Sequence, residues 1–213
     1  MTARSKSARP SRRSASETRS IVLDAAVDLI EERGFSSLKV SDISRISNVS
    51  EVLIYRYFVD RQGLLTAALV ELWERYMTHP IKAVREVIAN LPDDAITPES
   101  LASLAVPPHS ERARKSRWAR LQVLAASPEN AELKEMIRKS QSRANAEHEL
   151  LIEAIRAKMP GTHLTSVRMM RMLNNSVIFG FVEEDFANNP ISDDEFREFL
   201  VMFYSRTMIV HAE

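Results

Sequence analysis

The residues best suited to a chemical task lie between positions 35 and 65, where short polar side chains interrupt apolar ones at helical spacing. Asn48 follows the first apolar group, at a point where the chain must turn through a left-handed backbone. Asparagine tolerates that backbone better than most residues. Ser50 can then cap a second short helix, because its hydroxyl accepts a hydrogen bond from a backbone amide of the first turn. The apolar residues that define the two helices are Val40, Ile43, Ile46, Ile54 and Phe58.

Two short helices around a tight turn make a helix-turn-helix. In this motif the first helix and the turn hold the second helix so that it projects from a small core. A projecting helix fits the major groove of DNA. The chemistry predicted for this segment is therefore hydrogen bonding to nucleic acid, with no covalent step.

Patterns typical of catalysis or metal binding are weak elsewhere. The five histidines are scattered, and none forms a helical pair with another histidine or a Glu-x-x-His step. The acidic run at 183–185 places its members on different helix faces, which favours a solvated surface over paired carboxylates. The sequence has no glycine-rich phosphate loop. We expect no enzyme activity, no cofactor and no metal site.

A basic cluster lies on the predicted helix at 109–126. We interpret it as a solvated helix face, and binding of an anionic ligand is the alternative. Its members are Arg112, Arg114, Lys115, Arg117 and Arg120.

Composition favours an all-α protein. The 213 residues are 45% hydrophobic and include only four glycines. Cysteine is absent, which excludes disulfides and thiolate metal sites. No apolar run approaches the roughly 20 residues that span a bilayer, and the basic N-terminus lacks the apolar segment of a secretory signal. We expect a cytoplasmic protein with no membrane partner.

Charge is unevenly distributed although the formal net charge is zero. Residues 1–20 hold six basic side chains against one acid, Glu17. A basic arm before a helix-turn-helix, here 1–17 with Arg12 and Arg13 nearest the motif, can contact phosphates or the minor groove. A solvated tail is the alternative, because serine, arginine and proline dominate the segment.

Caps and breakers predict the helix boundaries. Ser14 to Glu17 fits a capping box that starts the first helix, and Gly34 ends it. Asp60 caps the helix after the helix-turn-helix, and Ser127 is predicted to cap a long helix with proline at its first position. No strand pattern competes. The helices predicted after the motif span about 61–79, 81–90, 98–106, 109–126, 128–158, 164–188 and 192–211.

Residues 18–65 resemble the N-terminal DNA-binding region of TetR-type transcriptional regulators, without gaps in order or spacing. The match covers roughly the first third of the chain, and the remainder resembles the family in being helical and of suitable length. The matching residues are Ile21, Ala25, Ala26, Leu29, Gly34, Phe35, Val40, Asp42, Ile43, Val49, Ser50, Ile54, Tyr55, Tyr57, Phe58, Arg61, Leu64 and Leu65.

The resemblance assigns the recognition helix to about 51–57. It implies that Tyr55 and Arg61 contact backbone phosphates. Arg56 is our candidate for reading a base edge, and its two-pronged donor face suits guanine. The DNA-binding residues expected are Arg12, Arg13, Lys39, Ser41, Ser50, Glu51, Leu53, Tyr55, Arg56, Tyr57 and Arg61.

The resemblance also implies a larger helical domain at 66–213 that encloses an apolar effector cavity. Each candidate lining residue has ordinary core packing as its alternative. Asn174 is the more specific hint, because a buried amide needs a hydrogen-bond partner that a ligand, water or neighbouring helix can supply. The candidates are Trp73, Met77, Trp118, Leu121, Met136, Met170, Asn174 and Ile178.

The last two predicted helices carry apolar residues on more than one face, which is typical of a helix that is central in its domain or that pairs with another subunit. The resemblance implies a homodimer through these helices, bound to a palindromic operator. The function expected is a transcriptional regulator, a repressor released from DNA by a small, largely apolar effector. The alternative is a ligand-binding or scaffolding dimer whose head no longer reads bases, which Glu51, Val52 and Leu53 at the front of the recognition helix would explain.

Overall fold

The computed structural model describes residues 13–159 and 165–207. These residues form ten α-helices and two short 3-10 turns, at Phe35–Ser37 and Asp93–Ala95, and include no strand. The all-α class predicted from the sequence is confirmed. The helices are α1 Ala15–Arg33, α2 Val40–Ser47, α3 Glu51–Phe58, α4 Arg61–Met77, α5 His79–Asn90, α6 Pro98–Leu104, α7 Glu111–Ala126, α8 Ala131–Lys158, α9 Val167–Glu184 and α10 Asp193–Thr207.

The chain divides into two compact units, and the division falls between Ala68 and Leu69, inside α4. We refer to them as the head and the larger domain. The first turns of α4 belong to the head and the remainder belongs to the larger domain. This single helix is therefore continuous through the division.

The capping box at the start of α1 is confirmed. The Ser14 amide donates to Glu17 Oε2 at 2.7 Å, and the Glu17 amide donates to Ser14 Oγ at 3.1 Å. The reciprocal bonds lower the pKa of the Glu17 carboxyl, first through the Ser14 backbone amide. Gly34 ends the helix with φ of 79°, a backbone that glycine adopts without steric cost.

The predicted start of the long helix is wrong. The Ser127 hydroxyl donates back to the Leu124 carbonyl at 2.9 Å, so it closes α7 and does not cap α8. Asn130 caps α8, and its Oδ1 accepts the Leu133 amide at 2.9 Å. Residues 164 and 208–211, which the sequence assigned to the last two helices, lie outside the described residues.

The larger domain has a core in which α5, α6, α8 and α9 pack together. Aliphatic side chains from all four helices meet there, and burial of such surface is the main stabilising term of a helical domain. The buried members are Ile88, Ile96, Leu101, Leu151, Ile152, Ile155, Met159 and Met170.

Two surface predictions are wrong in part. In the basic cluster Arg112, Arg114 and Lys115 are exposed as predicted, but Arg117 and Arg120 are buried, with exposures of 2% and 5%. Asp185 in the acidic run has a side chain only 7% exposed. For Arg117 and Asp185 the reason is a buried pair: Arg117 donates through Nε to Asp185 Oδ2 at 3.1 Å and through Nη2 to Oδ1, and its Nη1 donates to the Pro108 carbonyl.

The Arg117–Asp185 pair generates a stability prediction. Arg117→Met leaves the Asp185 carboxylate buried without its cation, and breaking a buried pair from one side costs about 3–5 kcal/mol. We expect the urea unfolding midpoint to fall accordingly. The double variant Arg117→Met/Asp185→Leu removes both charges and should recover much of the loss. Arg112→Met, on the exposed side of the same helix, is the matched control; unchanged stability of Arg117→Met would contradict the assignment.

Candidate functional site

The helix-turn-helix forms as predicted. Asn48 closes α2 with a left-handed backbone at φ 53° and ψ 40°. Ser50 then caps α3, and its Oγ accepts the Leu53 amide at 3.4 Å. Ile46 is the exception, because it is 48% exposed while Ser47 takes the inward position after Ile43. The Ser47 hydroxyl donates to the Ile43 carbonyl at 2.6 Å, which satisfies it inside the core.

The α3 helix is held from one side. Ile54 and Phe58, four residues apart, are buried in the core of the head. The opposite side carries the exposed side chains of Glu51, Tyr55 and Arg56, together with Val52, which is 81% exposed. This arrangement leaves one face of a short helix available to a groove.

The other predicted DNA-binding residues lie around this face with differing exposure. Leu53 and Tyr57 on α3 are half-buried, and the Arg56 guanidinium lies 5.9 Å from the centroid of the Tyr57 ring. Lys39, at the N-cap of α2, is exposed and makes no side-chain cap. The remaining exposed members are Arg13, Ser41 and Ser50. Arg12 lies outside the described residues.

Arg61 has a structural task in addition to the one predicted for it. Its Nε donates to the Leu38 carbonyl at 3.0 Å, and its Nη2 reaches the Ser36 carbonyl at 3.5 Å. The guanidinium thus ties the first turn of α4 to the segment between α1 and α2. Removing this side chain would disturb the head as well as any phosphate contact.

The junction of α3 and α4 depends on the predicted cap at Asp60 and on two residues that were not predicted from the sequence, Val59 and Gly63. Val59 adopts φ 68° and ψ −59°, and the Asp60 amide donates to the Phe58 carbonyl at 2.8 Å; this is a γ-turn, which is strained for a β-branched residue. Asp60 caps α4 by accepting the Gly63 amide at 2.7 Å. A Cβ on Gly63 would lie 2.2 Å from the Phe58 carbonyl oxygen, so this close approach requires glycine.

The larger domain contains a cavity of about 130 Å³. Two residues of the predicted set, Met170 and Asn174, lie in its wall. The wall is otherwise mainly aliphatic, apart from His148 and Tyr204, which the sequence analysis did not assign to it. The lining residues are Val84, Ile88, Leu101, Leu104, Ala105, His148, Leu151, Ile152, Ile155, Met170, Asn174 and Tyr204.

The other six predicted lining residues do not lie in that wall. Trp73 and Met77 are buried in α4, and Trp118 is 41% exposed on α7. Leu121, Met136 and Ile178 are half-buried. Apolar identity on a helix therefore did not separate cavity wall from ordinary core.

The polar end of the cavity is formed by His148 and Asn174, whose Nε2 and Nδ2 atoms lie 3.5 Å apart. Arg171 lies nearby and is itself paired, through Nε to Glu149 Oε1 at 3.0 Å and through Nη1 to Asn145 Oδ1 at 3.1 Å. Burial, followed by the charges of Arg171 and Arg120, lowers the pKa of His148 to about 4. The imidazole is therefore neutral at pH 7.

The exposed apolar residues of α9 and α10 form what we call the apolar face. Two residues after α9 the exposed Phe186 meets Trp118 of α7 edge-on, with 5.8 Å between the ring centroids. Exposed large apolar groups on adjacent elements are typical of an interaction surface. The members are Met169, Met172, Phe179, Phe199 and Met202.

Across 13–159 and 165–207, no three histidine or acidic side chains come together in a way that would hold a metal ion. In the same ranges no helix has the length and apolar character needed to cross a bilayer.

His148 generates a pH prediction. Its folded pKa of about 4 lies below the value of 6.5 for an unperturbed imidazole, so only the unfolded chain is protonated between these values. The free energy of unfolding should fall as pH decreases from 6.5 to 4, by roughly 1.4 kcal/mol per unit at most. The free energy of unfolding of His148→Gln should fall less over the same range. Urea unfolding of both proteins at several pH values measures this, and subtracting one free energy from the other removes the contribution of the carboxylates, which titrate in both. If the two free energies changed with pH in parallel, the prediction would be contradicted.

Comparison with known proteins agrees with this geometry. Residues 22–68 match the family described as bacterial regulatory proteins, tetR family. Over 107 residues the chain is 26% identical to the HTH-type transcriptional regulator AcrR of Shigella flexneri; the alignment covers 43% of this chain and 48% of AcrR, so the chain spans about half the length of that relative.

Two solved structures share the fold over most of the chain. A protein from Saccharomonospora viridis in complex with choline has a TM-score of 0.65 and 19% identity, and the match covers 92% of this chain and 100% of that one. A protein from Rhodococcus sp. described as a TetR-family transcriptional regulator has a TM-score of 0.64 and 21% identity, over 91% and 99% of the two chains. At these identities the likeness shows the fold. Residues 22–68 are thus a helix-turn-helix domain of the tetR type, and for the remaining helices the likeness is one of fold.

Proposed function

We propose that this chain is a DNA-binding transcriptional regulator, a repressor that a small and largely apolar effector releases from its operator. The observation that carries the proposal is the one-sided burial of α3. Ile54 and Phe58 fix the helix to the head, and the opposite face presents Tyr55 and Arg56 to solvent. A projecting helix of this kind fits the major groove.

The exposed side chains divide into two tasks. Arg56 can donate to the O6 and N7 atoms of guanine, and Val52 can contact a thymine methyl group. Lys39 and Tyr55 are suited to backbone phosphates, which position the helix without reading sequence. Arg12 and Arg13 of the N-terminal arm would add phosphate or minor-groove contacts.

Effector coupling would run through α8 and α4. The α8 helix carries His148 and Ile152 of the cavity wall, and two turns earlier its Ser140 hydroxyl donates to Glu74 Oε1 of α4 at 2.6 Å. Arg143 of α8 pairs with the same carboxylate. A ligand that shifts α8 would therefore bias α4, the helix continuous with the head, and such coupling is typically about 1–3 kcal/mol.

Two copies are needed to read a palindromic operator, and we infer that they pair through the apolar face. In a two-fold dimer the same patch on both copies buries itself, which fits an unpartnered surface on the last two helices. The two recognition helices would then lie about one duplex turn, or a multiple of it, apart.

One observation favours a second candidate, a ligand-binding or scaffolding dimer that no longer reads bases. Val52, which is 81% exposed, and Glu51 lie at the front of α3, and neither side chain has a hydrogen-bond donor for a base or a phosphate. Binding to duplex DNA over a range of salt concentrations separates the two. A reader shows a steep dependence and sequence preference, whereas a scaffold shows neither.

Arg56 supplies the test of base reading. Arg56→Ala should blunt the preference at one base pair of a site selected from random duplexes, by about 1–3 kcal/mol, because a two-pronged contact to guanine is lost. Fluorescence anisotropy with single-base variants of the site measures this. Lys39→Ala should instead weaken all duplexes alike; it is a cleaner phosphate control than Arg61, whose guanidinium also holds the head together. Unchanged base preference in Arg56→Ala would show that another residue reads the site.

Phe199 supplies the test of the dimer. A carboxylate in an apolar two-fold interface meets its own symmetry mate or apolar groups without a hydrogen-bond partner, which is costly. We expect Phe199→Glu to be monomeric by sedimentation velocity at concentrations where the wild type is dimeric, with much weaker operator binding. Val87→Glu, at an exposed position of α5, is the control and should remain dimeric. A dimeric Phe199→Glu would exclude this face as the interface.

A further inference from the structure

Arg120 on α7 is a buried cation without compensation. Its residue is only 5% exposed, and neither Nε nor Nη1 finds a hydrogen-bond partner within residues 13–159 and 165–207. Its guanidinium lies 5.9 Å from the centroid of the Phe179 ring, a cation–π contact that uses no N–H donor. Burial lowers the pKa of Arg120 to about 10, so the group still carries its charge at pH 7.

Arg117, three residues earlier on the same helix, shows what compensation looks like. It is equally buried, but its donors are taken by the Asp185 carboxylate and the Pro108 carbonyl. A buried charge that lacks such partners costs several kcal/mol in protein interiors. The two arginines are similarly buried, but only Arg117 has a counter-charge, and Arg120 has N–H donors without acceptors.

The position of Arg120 relates this charge to the cavity of the larger domain. Arg120 is not itself a wall residue, but its charge and that of Arg171 both act on the imidazole of His148, which lines the cavity. Arg171 is balanced by Glu149 at 3.0 Å. The neutral imidazole cannot balance Arg120, so the polar end of the cavity lies in a net positive field.

The cavity wall also provides a hydrogen-bond donor and an aliphatic surface on which the apolar part of a ligand can pack. The Asn174 Nδ2 has only a 3.5 Å contact with His148, which is long for a hydrogen bond. Apart from Tyr204 the rest of the wall is aliphatic, and Leu101, Ile152 and Met170 are buried members of it. The volume of about 130 Å³ is close to that of an engineered apolar cavity, roughly 150 Å³, that holds benzene.

We propose that this cavity selects a small monoanion, a carboxylate on an apolar body no larger than one six-membered ring, and that Arg120 supplies the charge that favours it. The inference rests on the effector cavity of the proposed function and names its ligand class. The carboxylate would accept a hydrogen bond from Asn174, and the ring would pack on the aliphatic wall. A cation of the same shape would be repelled.

The test uses three isosteric probes that differ only in charge: benzoate, benzamide and benzamidinium. We expect calorimetric titration of the full chain at pH 7, without DNA, to show benzoate binding at least about tenfold more tightly than benzamide, and benzamidinium not binding. Each tenfold step corresponds to about 1.4 kcal/mol. Equal affinity for the three probes, or no binding of benzoate, would overturn the proposal.

Variants then separate ligand recognition from structure. Arg120→Met should reduce benzoate affinity to that of benzamide and raise the thermal midpoint of the ligand-free protein, because an uncompensated buried charge is replaced by an apolar side chain. Arg112→Met, exposed on the same helix, should change neither. A lower midpoint for Arg120→Met with the benzoate preference intact would make Arg120 structural. Dissociation of the dimer with that preference intact would assign it to a subunit interface. Either result overturns the proposal.

Two further arms keep the inference separate from the function on which it rests. Arg120→Lys retains a charge and should keep part of the benzoate preference, which provides a reading if the methionine variant does not fold. Benzoate binding without release of a selected operator would support the ligand class and contradict only the effector role. Sequence-specific DNA binding without any charge preference would overturn the ligand class and leave the regulator intact.

Discussion

A helix of eight residues is not stable on its own in water, so the head of this protein depends on the contacts that hold α3 in its helical form. Isolated helices shorter than about 12–15 residues are marginal even with favourable sequences. Ile54 and Phe58 anchor α3 on one side, and the Ser50 cap fixes its first turn. The γ-turn at Val59 and the side-chain-free approach at Gly63 fix where it ends. Because all of this support comes from one face and two ends, the other face can remain exposed, and an exposed rigid face is the requirement for reading a groove.

The larger domain depends on the treatment of buried charge along α7. Arg117 is bonded to the end of α9, 68 positions away in sequence, and it ties these two helices together. Arg120, on the next turn, has no such anchor in the described part of the chain. The same helix thus carries one charge that organises the domain and one that leaves it short of compensation. The burial of Arg120 without a partner is explained physically if another molecule supplies its counter-charge.

Local signals in the sequence predicted the head well, and distant partners explain where prediction failed. The capping box at Ser14, the left-handed Asn48 and the cap at Ser50 each involve residues within four positions, so spacing alone reveals them. The burial of Arg117 depends on Asp185, and no local sequence pattern predicts that these two residues pair. The wrong prediction for Ser127 has a similar origin. Its hydroxyl could either cap the following helix or donate to a carbonyl at the end of α7, and it does the second. The cavity wall was only partly predictable, because Trp73 and Met170 are both large, buried helical residues and only Met170 lies in the wall.

The buried charge and the proposed regulation are connected through thermodynamic linkage. A ligand that binds only the folded state stabilises it by an amount that grows with the logarithm of ligand concentration over its dissociation constant. If the ligand also balances Arg120, the gain falls on the elements around the cavity, and α8 is the one that holds Glu74 of α4 through Ser140 and Arg143. A domain already complete without ligand would have little to gain there, and its α4 would be biased only weakly. A ligand that balances Arg120 in one conformation of the domain binds that conformation more tightly than the other, and this difference in affinity is the requirement for any ligand to shift a conformational equilibrium.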